Sequence, residues 1–257
     1  MNFTIENLEF FLLILVRISG FIFSAPFFSL SNIPRRVQVG LSVFIAVVLY
    51  ESLEKDTLVY NGVIEYAGLV ISEFMLGLIM GFIMSCCIYI LSFSGQIIDM
   101  EIGFSMVNVV NPTANMSTTV TGNLYTYFIM LLLLATDLYR YILRAIIDAF
   151  SYIPVGKVTV HANLYLIMVT FIKDYFILGF RIVLPIFGAT LMVNVVLGVL
   201  AKVAPQMNMF VVGMQIKVLA GLAVLVIVIQ SFPMVSDYIF GEMKDVITQV
   251  IHLFTPK

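Results

Sequence analysis

Residues 63–93 read VIEYAGLVISEFMLGLIMGFIMSCCIYILSF, and the two charged side chains in this run are Glu65 and Glu73. An apolar run of this length is typical of a helix that lies in a membrane or deep within protein. The 31 residues would rise about 46 Å as a helix, whereas the hydrocarbon core of a bilayer is about 30 Å thick. The run is therefore too long for one upright crossing and predicts a long hairpin arm.

Further apolar runs lie on both sides of this one, and their lengths also fit a bilayer poorly. They cover residues 10–28, 37–50, 123–143, 162–200 and 209–232. Within 162–200, Pro185 and the pair Lys173 and Asp174 predict two segments or one broken helix. Together the runs predict an all-α, integral membrane-type protein of long helical hairpins, with longer connections at 94–122 and 144–161.

The composition excludes a water-soluble globule. Of 257 residues, 61% are hydrophobic and 11% are charged, and the mean hydropathy is +1.10, whereas soluble domains are about half apolar and about a quarter charged. The formal net charge of −2 provides no basic surface for nucleic acid. Cys86 and Cys87 are adjacent, so they do not readily meet disulfide geometry or supply a set of metal ligands.

Ionisable residues inside the apolar runs are expensive in lipid unless they are paired, snorkel to the interface or face protein and water. For Arg17 and Lys217, which lie nearer mid-run, we expect buried partners. Charges close to the ends of a run are expected to snorkel. The full set is Arg17, Glu65, Glu73, Asp137, Arg140, Lys173, Asp174, Arg181 and Lys217.

Four charges around residue 140 recur at helical spacing, which predicts one polar stripe. The residues are Asp137, Arg140, Arg144 and Asp148. Two interpretations remain open for this stripe, a solvated face with internal ion pairs and a contact between subunits.

The loop charges give no membrane orientation. With six spans the alternate sides carry five and three Lys or Arg, and dividing the fifth span gives four and five. The positive-inside rule is therefore not decisive, and one hypothesis is that other protein subunits cover the apolar faces. Gly77 and Gly81 form a G-x-x-x-G motif with Gly68 upstream, which permits close helix approach within the chain or between chains.

Residues 95–123 read GQIIDMEIGFSMVNVVNPTANMSTTVTGN and predict an irregular segment between helices. Gly95, Gly103 and Pro112 interrupt regular structure. Its apolar side chains are unfavourable in water, and irregular backbone is unfavourable in lipid, so the segment must line a cavity or be buried in protein. It is either a plug or constriction in a pore, which closes a conduit by dewetting, or a tight loop packed between two helices.

A second polar cluster lies between Arg181 and Phe210, where Pro185 and Pro205 flank amides and Lys202. This pattern predicts a helix-turn-helix hairpin. Amides such as those of Gln206 and Asn208 at a hairpin tip satisfy exposed backbone and contact a neighbouring chain.

Catalytic patterns are absent from the sequence. His161 and His252 are the two histidines, and neither has Cys, Asp or Glu at metal-ligand spacing. Asp99 and Glu101 form the one close carboxylate pair, but residues two apart on a helix point to different faces. We therefore predict no enzymatic activity and no cofactor.

Several ordered strings resemble the FliR/SctT/SpaR family of type III secretion export-gate proteins. They are RISGFIFSAPFFSLSNIPRRVQVGLS at 17–42, GQIID and NP within 95–112, DAFSYIPVG at 148–156, VLP at 183–185, and LGVLAKVAPQMNMFVVGMQIKVLAGL at 197–222. The strings are long and co-linear, and the resemblance covers almost the whole chain.

The resemblance implies a core component of the flagellar export gate in the bacterial cell membrane and flagellar basal body. With FliP and FliQ, and alongside the FlhB and FlhA family export proteins, it would pass unfolded flagellar subunits across the inner membrane. Residues 1–158 would form a FliP-like half that includes the gate loop 95–123, and residues 159–257 a FliQ-like hairpin half.

The resemblance also implies roles for individual residues. The gate would be shaped by Gly103, Phe104, Met106, Val109 and Pro112. Assembly contacts would be made by Arg17, Lys202, Pro205, Gln206 and Asn208. The alternatives are a virulence counterpart in an injectisome, which differs in cargo, and an independent multipass solute carrier, in which the buried charges would line a substrate path.

Overall fold

A computed structural model describes residues 5–26, 28, 33–54, 58, 60–104, 119–159, 161, 163–206 and 208–255. Within these ranges the secondary structure consists of α-helices, so the all-α prediction is confirmed. The helices are α1 (Ile5–Ser24), α2 (Arg35–Ser52), α3 (Val63–Ile102), α4 (Val120–Ala135), α5 (Leu138–Tyr152), α6 (Leu164–Val203), α7 (Met209–Ile229) and α8 (Phe232–Phe254).

Four stretches of described helix are long and apolar enough to cross a membrane: α1, α3, α6 and residues Val211–Ile229 of α7. Helices α3 and α6 have 40 residues each and are therefore about 60 Å long. The prediction of arms longer than one bilayer crossing is confirmed. Helix α3 also continues to Ile102, so the irregular segment expected from Gly95 begins about two turns later than predicted.

The predicted interruption of the fifth apolar run is wrong, because α6 is one continuous helix with Pro185 inside it. Proline lacks an N–H and leaves the carbonyl of Arg181 without its usual helical partner. The loss concerns one hydrogen bond in a 40-residue helix. Lys173 and Asp174 do not end the helix either, since both have helical backbone and the helix continues to Val203.

The fourth apolar run was predicted to be continuous over 123–143, and this prediction is also wrong. The chain turns at Thr136 and Asp137, where Asp137 adopts a left-handed conformation with φ 55°, which Asp tolerates better than most residues. Asp137 therefore precedes α5 rather than belonging to its polar stripe. Residues predicted as a connection from 144 onward are helical as far as Tyr152.

Contacts between helices divide the chain into two compact units. The first comprises Met1–Cys87, Leu133–Phe171 and Phe240–Lys257, and the second comprises Ile88–Leu132 and Ile172–Ile239. The core of the first is built from apolar residues of α1, α3, α5 and α8, and that of the second from α3, α4, α6 and the start of α8. This division follows contacts within the chain and does not test the predicted FliP-like and FliQ-like halves, which remain a prediction.

In the first unit, α1 and α3 approach each other closely at small residues. A Cβ on Gly77 would overlap the carbonyl oxygen of Arg17, and one on Gly20 would lie 2.7 Å from the carbonyl oxygen of Phe74. A Cβ on Gly81 would meet the Oγ of Ser24 and the main chain of α1. The G-x-x-x-G motif therefore serves packing within the chain.

Helix α2 is apolar on the outside and partly polar on the inside. Its buried residues are Gln38, Ser42, Ala46 and Leu49, and the Gln38 side-chain amide donates to the carbonyl oxygen of Phe28 at 2.7 Å. Its exposed large apolar residues are Val37, Val39, Val43, Phe44, Val47 and Val48. This pattern is the reverse of that expected for a helix on a soluble protein.

Replacing Gly77 with Val tests the close approach of α1 and α3. We expect the free energy of unfolding to fall by about 1–3 kcal/mol, because the new side chain must displace the α1 backbone. Gly68→Ala is the matched control on the same helix, since nothing lies within 4 Å of a Cβ there, and it should stabilise by up to about 1 kcal/mol. Denaturant unfolding of the purified full chain in detergent measures both, and equal stabilities would contradict the packing described.

Candidate functional site

A buried ion pair lies at the centre of the first unit. Arg17 of α1 and Glu73 of α3 have no exposed side-chain surface, and Nε of Arg17 donates to Oε2 of Glu73 at 2.5 Å. The other oxygen of Glu73 accepts the Gly156 N–H at 2.7 Å. Nη1 of Arg17 donates to the carbonyl oxygen of Ile153 at 2.9 Å, and its Cζ lies 4.1 Å from the ring centre of Phe150.

These contacts fix the turn that follows α5. Gly156 has φ +77°, a conformation that glycine adopts without strain, and its N–H points at the Glu73 carboxylate. The prediction that Arg17 has a buried partner is confirmed. The Arg17 side chain has no exposed surface within this chain, and its predicted assembly contact stays a prediction.

The chain beyond this turn is tied to the end of α8. The Thr159 N–H donates to the carbonyl oxygen of Phe254 at 3.4 Å. The Thr159 hydroxyl donates to the carbonyl oxygen of Thr255 at 3.3 Å. Nδ1 of His161 lies 2.5 Å from the carbonyl oxygen of Leu253. His161 is thus bound to main chain, and no three His, Cys, Asp or Glu residues in the described part of the chain form a group that could hold a metal ion.

The predicted gate segment begins where α3 ends. Gly103 has φ +100° and its N–H donates to the carbonyl oxygen of Asp99 at 3.1 Å, so it terminates the helix as glycine commonly does. Phe104 follows and is half-buried. Met106, Val109 and Pro112 lie outside the described residues.

Asp99 also binds the helix that follows the segment. Asp99 is 3% exposed. Both oxygens of its carboxylate accept the Thr121 N–H, each at 3.2 Å. Oδ1 also accepts the Thr121 hydroxyl at 2.5 Å. Four residues earlier, Gly95 lies against the main chain of Gly122, so closely that a Cβ on Gly95 would overlap it.

Glu101 lies on a different face of α3 from Asp99, because residues two apart on a helix point in different directions. It is half-buried, and its Oε2 lies 3.5 Å from the Thr190 hydroxyl of α6. The expectation that Asp99 and Glu101 do not act as one acid-base pair is consistent with these two directions. Asp99 is not among the residues predicted for the gate or for assembly, because its contact with Thr121 depends on α3 extending past Gly95.

The predicted hairpin between α6 and α7 is confirmed. Lys202 lies in the last turn of α6, Pro205 and Gln206 form the turn, and all three are exposed. Asn208 is also exposed and caps α7 by accepting the Val211 N–H at 3.5 Å. Asn208 therefore satisfies backbone, as expected of one amide at the tip, whereas the Lys202 and Gln206 side chains project from the surface.

Lys217 in the middle of α7 differs from the prediction. It is half-exposed, and no carboxylate of the described residues lies within ion-pair distance of it. Gly213 and Gly221, one turn to either side of it on the same helix face, are buried. The described ion pair near residue 140 joins Arg140 to Asp137 at 3.5 Å, and both side chains are exposed, which fits the interpretation of a solvated face.

Large apolar side chains are exposed along the whole of α6 and much of α7. Only 22% of the apolar stretch of α6 and 17% of that of α7 are buried, against 61% for α3. On α6 the exposed residues run from Tyr165 and Leu166 near its start to Val199, Leu200 and Val203 at its end. Such a surface requires an apolar environment outside the chain.

The fold and its surfaces define an all-α membrane protein with long apolar helices. Residues 8–243 match the family described as "Bacterial export proteins, family 1". The chain therefore belongs to this family, and the membership expected from its sequence motifs is confirmed.

Relatives of this chain include proteins named "Flagellar biosynthetic protein FliR". The one from Bacillus subtilis (strain 168) is 28% identical over 245 residues, which is 94% of each chain. The one from Escherichia coli (strain K12) is 24% identical over 238 residues, 92% of this chain and 90% of that one. The one from Aquifex aeolicus (strain VF5) is 24% identical over 240 residues, 93% and 92% of the two chains.

Replacing Arg17 with Met tests the buried ion pair. We expect the free energy of unfolding to fall by about 3–5 kcal/mol, because Glu73 would stay buried without a counter-charge. Arg140→Met removes one partner of the exposed pair and should cost less than about 1 kcal/mol. Denaturant unfolding of the full chain in detergent measures both variants.

The double exchange Arg17→Glu with Glu73→Arg adds a sharper test. The Gly156 N–H requires an acceptor and the Ile153 carbonyl requires a donor, so reversing the charges leaves both contacts wrongly matched. We expect the exchanged pair to remain less stable than the wild-type chain. Full recovery of stability would show that Coulomb attraction alone matters at this position.

Proposed function

We propose that this chain is a non-catalytic component of the flagellar type III export gate. It forms with FliP and FliQ the channel that passes unfolded flagellar subunits across the bacterial inner membrane. Membership of the bacterial export family and relatives named for flagellar biosynthesis support the export function. On this proposal residues 1–158 are the FliP-like half and residues 159–257 the FliQ-like half, and FlhB and FlhA family proteins are further partners in the basal body.

The observation that carries the proposal is the length of α6 compared with its exposure. The helix has 40 residues and is about 60 Å long, whereas a hydrocarbon core is about 30 Å thick. Even at a tilt of about 40° it would span about 46 Å along the membrane normal. Its exposed apolar side chains continue from Tyr165 to Val203, so lipid tails cannot cover all of them and protein neighbours must cover the rest.

The outward valines of α2 support the same proposal. The uncharged part of α2, residues 37–50, is about 21 Å long, shorter than the hydrocarbon core. The exposed charges of Arg35, Arg36 and Glu51 bracket it. An apolar protein surface of matching length covers such a face without drawing those charges into lipid.

The gate in this proposal is formed by Gly103, Phe104, Met106, Val109 and Pro112. An apolar constriction can close a conduit to ions by dewetting while it still opens for an extended polypeptide. Gly103, with φ +100°, directly follows the last residue of α3. The half-buried ring of Phe104 is the first apolar side chain after the turn.

Isolation of the tagged full chain from native membranes tests the proposed assembly. We expect two other small apolar subunits to be recovered with it. Lys202→Glu combined with Gln206→Ala should lower their recovery several-fold, because both side chains are exposed at the hairpin tip. Arg144→Glu, at an exposed position of α5, is the control and should leave recovery unchanged. A wild-type chain that is recovered alone and folded would contradict the proposal.

Replacing Met106 and Val109 together with Ser tests the proposed gate. We expect the ion leak of resting cells to rise several-fold, since hydroxyl groups favour water in the constriction. The matched control is Met100→Ser with Val120→Ser, because these residues are exposed on α3 and α4 next to the segment. The measurement is the decay of membrane potential, normalised to the amount of assembled chain. Equal leak in the two double variants would remove the gate assignment.

A further inference from the structure

Asp99 lies in the last turn of α3, and its side chain binds the start of α4. Its main-chain carbonyl oxygen accepts the Gly103 N–H at 3.1 Å, where the chain leaves α3. Its carboxylate accepts the N–H and the hydroxyl of Thr121, where the chain enters α4. The Asp99 carboxylate therefore joins the last turn of α3 to the first turn of α4, and all of these groups belong to the second compact unit.

The position of Asp99 in α3 does not serve α3 itself. It lies in the last turn of that helix, where the carbonyl groups make the end of the macrodipole negative and a carboxylate is unfavourable. The N-terminal end of α4 is the opposite case, because its free N–H groups favour an anion. The first turn of α4 contains no acidic residue of its own, so Asp99 supplies that charge from the neighbouring helix.

The packing around this contact leaves little freedom. Gly95 lies against the main chain of Gly122, and the Thr126 hydroxyl donates to the Gly122 carbonyl oxygen at 2.8 Å. The two helices therefore approach as closely as backbones can, one turn from the Asp99 carboxylate. A substitution at Asp99 alters the hydrogen bonds to Thr121, whereas the contact between Gly95 and Gly122 still holds the two helices together.

We propose that Asp99 is a positioning residue for the gate. By binding Thr121 through its carboxylate, one turn before Gly103, it fixes the start of α4 against the end of α3, and so sets where Gly103 and Phe104 lie when the channel is closed. The proposal rests on the proposed function, because it concerns the placement of the gate residues named there. It assigns Asp99 no contact with cargo and no proton transfer.

The test compares Asp99→Asn with Glu101→Gln in the full chain, in cells that contain its partners. Both variants replace a carboxylate with an amide, two positions apart on α3. In the Asp99→Asn variant one side-chain oxygen remains to accept from Thr121, and the new amide nitrogen faces an N–H that it cannot bind. We expect Asp99→Asn to raise the resting ion leak several-fold and Glu101→Gln to leave it unchanged, as measured by decay of membrane potential per assembled chain.

Thr121 variants keep the test decisive if Asp99→Asn does not assemble. Thr121→Val removes the hydroxyl bond but retains the N–H, whereas Thr121→Ser retains both. We expect Thr121→Val to leak more than Thr121→Ser at equal amounts of assembled chain. A purely structural role for Asp99 would lower the amount of assembled chain without changing the leak per chain, and that result would overturn the proposal.

The Met106 and Val109 double variant separates the two proposals. If it leaks while Asp99→Asn and Thr121→Val seal like the wild-type chain, the positioning role is wrong and the gate assignment stands. If it does not leak, the gate assignment is wrong and the positioning role fails with it. Leak in the double variant, in Asp99→Asn and in Thr121→Val, but not in Glu101→Gln, supports both.

Discussion

The structure depends on a mismatch between the length of its apolar helices and the thickness of a bilayer. Helices α3 and α6 have 40 residues each, about twice what is needed to cross a hydrocarbon core. The two helices differ in burial: the apolar stretch of α3 is mostly buried, and that of α6 is mostly exposed. Helix α3 therefore packs mainly against other parts of the chain, whereas α6 supplies an apolar surface that requires an apolar environment outside the chain.

Inside the fold, hydrophobic burial alone would not select one arrangement of such similar helices. Glycines provide part of the selection, because Gly77 and Gly81 admit α1 at positions where any other side chain would overlap its backbone. The Arg17 and Glu73 pair provides another part. A buried ion pair contributes little net stability, but each charge is costly without its partner, so alternative registers of α1 on α3 are disfavoured strongly.

The sequence predicted the class of elements well and their ends less well. Apolar runs indicated α1, α3, α6 and α7 but not α8, which begins where the last run ends, and the cost of a charge in an apolar run predicted a buried partner for Arg17. The same reasoning was wrong for Lys217, which is not fully buried and has no carboxylate of the described residues within ion-pair distance. The partner of Arg17 lies 56 residues away, and no local pattern identifies it. The turn at Asp137 and the continuity of α6 through Pro185 also depend on tertiary packing, which overrides local preference.

The two buried carboxylates of α3 perform the same physical task, each in its own compact unit. Glu73 accepts the N–H of Gly156 in the turn after α5, and Asp99 accepts the N–H of Thr121 at the start of α4. An ionised carboxylate accepts hydrogen bonds and does not donate them, so it selects the N–H groups that turns and helix starts leave without partners. An apolar side chain at either position would bury as readily but would leave those N–H groups unsatisfied. Glu73 and Asp99 thus hold the turn after α5 and the start of α4, while the exposed apolar surface of the chain requires an apolar environment outside it.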